Sequence, residues 1–175
     1  MSQFAGRRLE QVWFWFFVIH IPITLTLDIQ SLYPPSLLAG TPFPAFMRWY
    51  INFSRDPILL GAMSSNPAWD WLKCFLKMEA FVQLPSFFIG AYGLYKNDKR
   101  VYPLILAYGA STATTLVPTL NALLTDKSTP PLSTMELANL LGSYIPFLLF
   151  PLGMALDMGV KLIKLVQVAE GRKSV

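Results

Sequence analysis

Two carboxylates, Asp28 and Glu79, lie inside long apolar runs. A charge in hydrocarbon is costly, so an acid there marks a candidate functional site and calls for a named partner. Asp28 follows Glu10, the last charge before the first run, by 18 residues, and Glu79 precedes Lys96, the first charge after the second run, by 17. At 1.5 Å per helical residue both acids lie roughly 25 Å from the same membrane face. On neighbouring antiparallel helices they meet at one depth. Two acids so placed cannot both ionise cheaply and are expected to share a proton, with a net charge near minus one. That charge suits a cationic amine, or the hydroxyl group of an otherwise apolar molecule.

Spacing adds further polar groups. His20, Thr24 and Asp28 recur every fourth residue, which keeps them on nearly one helix face, and Glu79 and Gln83 share a face in the same way. Facing each other, the two stripes form an interhelical clasp, which by itself could be structural glue or could line a pocket. Tyr50, Phe75, Tyr108, Tyr144 and Phe147 supply the aromatic walls a small-molecule pocket needs. Asp56 reads as structural: in Arg55-Asp56-Pro57 it is a helix N-cap with Pro57 as first helical residue. Asp157 and Lys161, four apart, read as a solvated ion pair. Gly109 and Ala113 have the small-xxx-small spacing that serves internal packing or a dimer interface equally. With one cysteine (Cys74) and one histidine (His20), a disulfide and a metal centre built on several such ligands are excluded, and neither metal nor cofactor is expected.

The elements that must hold these residues are membrane helices. The chain is 54% hydrophobic and 14% charged, with a mean hydropathy of +0.45. A soluble domain carries about 25% charged residues. The expectation is one all-α domain over residues 1–175, with spans at about 12–30, 71–95, 101–124 and 137–158. The first span is too long for a signal peptide, contains Pro22, and lacks a small-x-small cleavage site, so it reads as retained. Each span holds proline (Pro22; Pro85; Pro103 and Pro118; Pro146 and Pro151), so four kinked helices around an internal pocket are expected. The connector after the first span is rich in aromatic residues and folds over one membrane face, with Trp49 and Tyr50 at headgroup level.

Arg7, Arg8, Lys96, Lys99, Arg100, Lys161, Lys164, Arg172 and Lys173 collect on one side, which puts both termini in the cytoplasm. The net charge of +4 therefore reports topology, not nucleic-acid binding. The closing Arg172-Lys173-Ser174-Val175 resembles, imperfectly, a retrieval signal for the endoplasmic reticulum.

Several ordered motifs together carry a family resemblance. His20-Ile21-Pro22-Ile23-Thr24-Leu25 with Asp28-Ile29-Gln30, Trp49-Tyr50 with Asp56-Pro57, Glu79 with Gln83-Leu84-Pro85, Thr114-Thr115-Leu116 with Pro118, and Tyr144 with Pro146 resemble the sigma-2 receptor family of EXPERA-domain proteins. The resemblance spans nearly the whole chain. It implies a four-helix protein of the endoplasmic reticulum that binds sterols or cationic amphiphiles in a pocket open to the bilayer, and that forms a homodimer. It implies that Asp28 pairs with the ligand amine and that Glu79 hydrogen-bonds to Asp28. Gln83, Tyr50, Thr115, Tyr144 and Phe147 then fall at or near the pocket, with His20 and Thr24 on the acidic stripe. Family roles include sterol homeostasis, regulation of a sterol transporter, and, in a yeast relative, mitochondrial precursor targeting and quality control. Lys77, Cys74 and Ser54 depart from the family pattern, and Phe147 keeps a ring without a hydroxyl.

Three function classes compete. A receptor-like lipid or amine binder stands first. An interaction or quality-control factor with a purely structural acid pair stands second. A sterol double-bond isomerase of the same superfamily stands third: Asp28 and Glu79 could in principle form its acid–base pair. The isomerase resemblance implies another acid in the third span, however, and residues 101–124 contain none. A channel is excluded because one polar site closed by aromatic residues on the cytoplasmic side gives no continuous path.

Overall fold

The computed structural model describes residues 3–173. Ser174 and Val175 of the retrieval-like tail, and the side chains of Arg172 and Lys173, lie outside the described part. Among the described residues every regular element is helical. The long helices are α1 (Arg8–Thr26), α5 (Asp70–Met78) continued by a π turn (Glu79–Gln83) into α6 (Leu84–Tyr95), α7 (Tyr102–Leu124) and α8 (Thr134–Lys173), with short α2 (Pro35–Leu38), α3 (Phe43–Ser54) and α4 (Pro57–Met63) in the connector. Three segments are long and apolar enough to cross a membrane: Arg8–Leu32, Pro67–Tyr95 and Thr134–Gly171. α7 is not among these three: the run of small and hydroxyl residues from Gly109 to Thr115 lowers its hydropathy, though its 23 residues match a bilayer in length.

Helix boundaries differ from the expected spans for identifiable reasons. The first helix stops at Thr26, and Asp28–Leu32 winds as a 3₁₀ turn, so Asp28 is not on the α-helical stripe. The last helix runs on to Lys173, 40 residues in all or about 60 Å, well past the hydrocarbon, because nothing after Met158 breaks its periodicity. Pro103 sits in the first turn of α7, and Pro85 in the first turn of α6 after the π turn. Pro103 therefore opens its helix without kinking it, whereas Pro85 stands just after the π turn that interrupts the second span.

The core has two parts. Near the chain termini, Phe17, Phe87, Ile105, Tyr108, Met154 and Met158 pack α1, α6, α7 and α8 together. At the opposite end, Ile58, Leu72, Leu76, Leu123 and Leu140 bind α4 and α5 to α7 and α8. A close helix approach uses Gly109. A Cβ there would strike the carbonyl oxygen of Pro151 and lie 2.9 Å from the amide nitrogen of Ala155. The small-xxx-small face of α7 is thus spent on α8 within one chain.

The Asp157–Lys161 pair is not the solvated couple expected. Lys161 Nζ lies 2.9 Å from Asp157 Oδ2 and 3.1 Å from Oε1 of Glu10, which is only 4% exposed. Glu10 also accepts from Arg7 (2.5 Å) and from the Tyr102 hydroxyl (2.8 Å), while the Trp13 indole donates to Asp157 (2.8 Å). Two acids, two cations and two aromatic donors tie α1, α7 and α8 together at the end that carries the N-terminus.

Candidate functional site

Both buried acids sit where α-helix geometry is interrupted. Leu27 N–H bonds Ile23 O at 2.8 Å, and the chain then tightens into the 3₁₀ turn that begins with Asp28. Glu79 opens the π turn, a feature often found at functional positions. Its cause is local: Pro85 has no N–H to give to the turn before it, and the Ser86 hydroxyl compensates by donating to Val82 O (2.7 Å).

Thr24 joins the two acids. It is fully buried, and its Oγ1 lies 2.8 Å from Glu79 Oε1 and 3.2 Å from Asp28 Oδ2. A hydroxyl has one proton and serves one acceptor at a time. The shorter contact, to Glu79, is the stronger hydrogen bond, and Asp28 stands within reach of the same hydroxyl. The clasp between the first and second spans is therefore a triad of Thr24, Asp28 and Glu79.

His20 completes the polar group. Its ring lies 5.0–5.1 Å from Phe16, Phe87 and Phe147. Ligand atoms of His20, Asp28 and Glu79 all lie within 4.8 Å of one another. The sequence argument against a metal counted residue types over the chain, whereas the fold gathers three potential ligands at one point. Scarcity of ligands thus no longer excludes a single cation there.

These residues border a cavity of about 280 Å³. Of the expected ligand-contacting residues, His20, Asp28, Tyr50, Glu79, Gln83, Thr115, Tyr144 and Phe147 line it. Thr24 does not; it stands behind the acids and holds them. The walls are otherwise apolar, from Ile23, Leu27, Phe46, Leu72, Phe75 and Leu116. Tyr108, on the lining, packs against Phe17 and Phe87 in a three-ring cluster with centroids 5.2–5.7 Å apart.

Asp56 has two places in this architecture. Its Oδ1 caps α4 by accepting from Ile58 N (2.9 Å) and Leu59 N (3.2 Å). Its Oδ2 accepts from the Tyr144 hydroxyl (2.8 Å), and the residue also lines the cavity. Burial pushes its carboxyl above the usual aspartate range, against the pull of Tyr144 and the two amides. Only the cap is legible in Asp56-Pro57, since Tyr144 lies 88 residues away. Asp56→Ala is expected to cost about 2 kcal/mol through loss of the cap and of the Tyr144 bond. Asp56→Asn keeps the amide acceptor and should cost less. Thermal unfolding of the two purified variants beside wild type checks this order.

Reading from sequence missed Thr112, Thr119 and Ser143 on the cavity wall. Hydroxyl residues on membrane helices commonly bond their own backbone, as Thr119 does to Thr115 O (3.1 Å), so their presence in a sequence carries little signal. Lys77 and Cys74, which depart from the family pattern, are exposed and lie outside the cavity lining.

Comparison with known proteins shows the family. The EXPERA (expanded EBP superfamily) family matches residues 42–158. Sigma intracellular receptor 2 of Xenopus tropicalis is 33% identical over 160 residues, covering 88% of this chain and 90% of that protein. The Homo sapiens protein of the same name is 34% identical over 145 residues, 78% of each chain. Efficient mitochondria targeting-associated protein 19 of Schizosaccharomyces pombe is 28% identical over 176 residues, 95% of this chain and 84% of that one. With most of the α-helical chain matched and three helices able to span a bilayer, this protein is a membrane protein of the EXPERA family.

Proposed function

We propose that the protein is a receptor-like binder of cationic amphiphiles or sterols in the endoplasmic-reticulum membrane, with a role in sterol homeostasis or trafficking. In this reading α7 is a fourth span, both termini are cytoplasmic, and residues 1–175 form one domain that pairs as a homodimer. The observation that carries it is the Thr24-bonded pair of Asp28 and Glu79 on the wall of an otherwise apolar cavity. A carboxyl pair holding one proton offers one negative charge, and an ammonium neutralises it in a medium that tolerates no net charge. A sterol hydroxyl uses the same acids as hydrogen-bond partners. Sigma intracellular receptor 2 is named as a receptor, and the likeness to it spans most of the chain.

Enzyme chemistry is disfavoured. The resemblance to sterol isomerases implies a further acid in the third span, and α7 has no Asp, Glu, His, Lys or Arg. The likeness to a mitochondria targeting-associated protein supports a second reading, in which the chain serves precursor targeting and the acid pair is structural.

The test is binding of a radiolabelled cationic amphiphile and of a hydroxysterol to the purified full chain, wild type beside Asp28→Asn and Glu79→Gln. Asp28→Asn is expected to lower amine affinity about tenfold to a hundredfold, the worth of a charge-assisted hydrogen bond, while folding is retained. Equal binding by wild type and both variants, or no binding by wild type, overturns the receptor reading in favour of the second.

A further inference from the structure

We infer that Asn52 is an N-glycosylation site that carries an oligosaccharide on the lumenal side of the connector. Asn52-Phe53-Ser54 is an Asn-x-Ser acceptor triplet with no proline in the middle. Of the five asparagines in the chain, only Asn52 has serine or threonine two residues on. Ser54 departs from the family pattern, so the triplet belongs to this chain. The folded structure adds what a triplet lacks, an acceptor position that a bulky sugar can occupy. Asn52 stands near the end of α3 and is exposed, as are Ala45 and Arg48 at helical spacing on the same side. Its side chain has no hydrogen-bond partner among the described residues, so a sugar there breaks no contact. The packed side of α3 is the other one: Met47 is 2% exposed, Tyr50 lines the acidic cavity, and the Ser54 hydroxyl donates to Tyr50 O at 2.8 Å.

The connector also gives the acceptor room. Asn52 lies 20 residues after Leu32 and 15 before Pro67, the nearest ends of two segments able to cross a membrane. At about 3.3 Å per extended residue even the shorter arm reaches about 50 Å, so the unfolded connector can hold the triplet clear of the bilayer. Transfer comes before α3 folds, because the folded helix commits the Ser54 hydroxyl to its own backbone. With both termini cytoplasmic the connector is lumenal, and the inference rests on that orientation, given above as part of the proposed function. The lumen of the endoplasmic reticulum is where the donor, a polyisoprenyl-diphosphate oligosaccharide, and its transferase meet a nascent chain. In the transfer, Asn52 Nδ2 forms a bond to the anomeric carbon of the first sugar. The anomeric C–O bond to the diphosphate breaks, the polyisoprenyl diphosphate leaves with the bonding electrons, and one amide proton is lost to solvent. Nothing is oxidised or reduced. A sugar does not enter hydrocarbon, so the glycan keeps the Ala45, Arg48 and Asn52 side of α3 in the lumen.

The experiment expresses the full chain in cultured eukaryotic cells and reads its mobility on denaturing gels, before and after digestion with peptide N-glycosidase F. The readout needs no variant to fold. Wild type is expected to lose one step of apparent mass on digestion. Asn52→Gln and Ser54→Ala are expected at the digested position without the enzyme, and Ser54→Thr, which retains a hydroxyl, is expected to keep the step. A wild type that digestion does not shift overturns the inference, and so does a step that survives in Asn52→Gln. A further chain separates that failure from failure of the orientation. It carries Asn52→Gln and, after Gly40, an inserted Gly/Ser loop of about 30 residues containing Asn-Gly-Thr. A glycan on this loop, with none on wild type, leaves the connector lumenal and overturns the assignment of Asn52 alone. No glycan on the loop, with one on the same segment appended after Val175, puts the connector in the cytoplasm and overturns the proposed topology as well.

Discussion

Glu10→Ala is expected to destabilise the folded protein by about 3–5 kcal/mol, more than any substitution in the acidic cavity. Glu10 is 4% exposed and receives Arg7, Lys161 and the Tyr102 hydroxyl. Its removal leaves two partly buried cations without their common anion, and it strips a buried phenol of its acceptor. Asp157 stays beside Lys161 at 2.9 Å, so Lys161 keeps one partner, and Arg7 keeps the carbonyl oxygens of Leu94 (3.1 Å) and Gln3 (2.8 Å). The loss therefore falls mainly on the tie between α1 and its neighbours α7 and α8. The check is thermal unfolding in detergent of Glu10→Ala, Lys161→Met and the double variant. If the pair is coupled, the double variant loses less than the sum of the singles. Additive losses would show that the two groups act separately.

Gly109→Leu is expected to cost about 3 kcal/mol or more, and Gly109→Ala about 1–3 kcal/mol. The atoms a side chain would meet are backbone, at Pro151 and Ala155, and cannot rotate away. The helices must part, and the walls of the cavity part with them, because α7 supplies Thr112 and Thr115 and α8 supplies Tyr144 and Phe147. Gly109→Leu should therefore weaken amine binding even in the folded fraction. Glycine at 142 has open space around a would-be Cβ, so Gly142→Ala is the control that leaves both stability and binding in place. Unfolding midpoints and ligand titrations on the three variants decide. A Gly109→Leu protein as stable as wild type would mean that α7 and α8 do not hold this approach.

The sequence by itself settled much of the solvent and the chemistry. Hydropathy makes a membrane protein, because long stretches with so few charges bury in lipid more cheaply than in water. The same argument picked out Asp28 and Glu79, since a carboxyl in such a stretch needs a reason. Nearly equal spacing from flanking charges, 18 and 17 residues, pointed to one depth, because rise along an α-helix is regular. The Asp56 cap was legible because an N-cap is local, complete within Asp56, Ile58 and Leu59.

Tertiary structure decided whatever depends on partners distant in sequence. It placed Thr24 between the acids and not on the cavity wall. It moved Asp28 off the α-helical stripe and put Glu79 at a π turn, because proline chemistry and packing override an ideal period. It gave Asp56 its second partner in Tyr144. It turned Asp157 and Lys161 from a surface pair into part of a buried network around Glu10. It spent the small face of α7 inside the chain. A single sequence shows which groups are costly to bury, and it shows their neighbours along one helix. Which groups repay that cost across helices is fixed only when the helices pack.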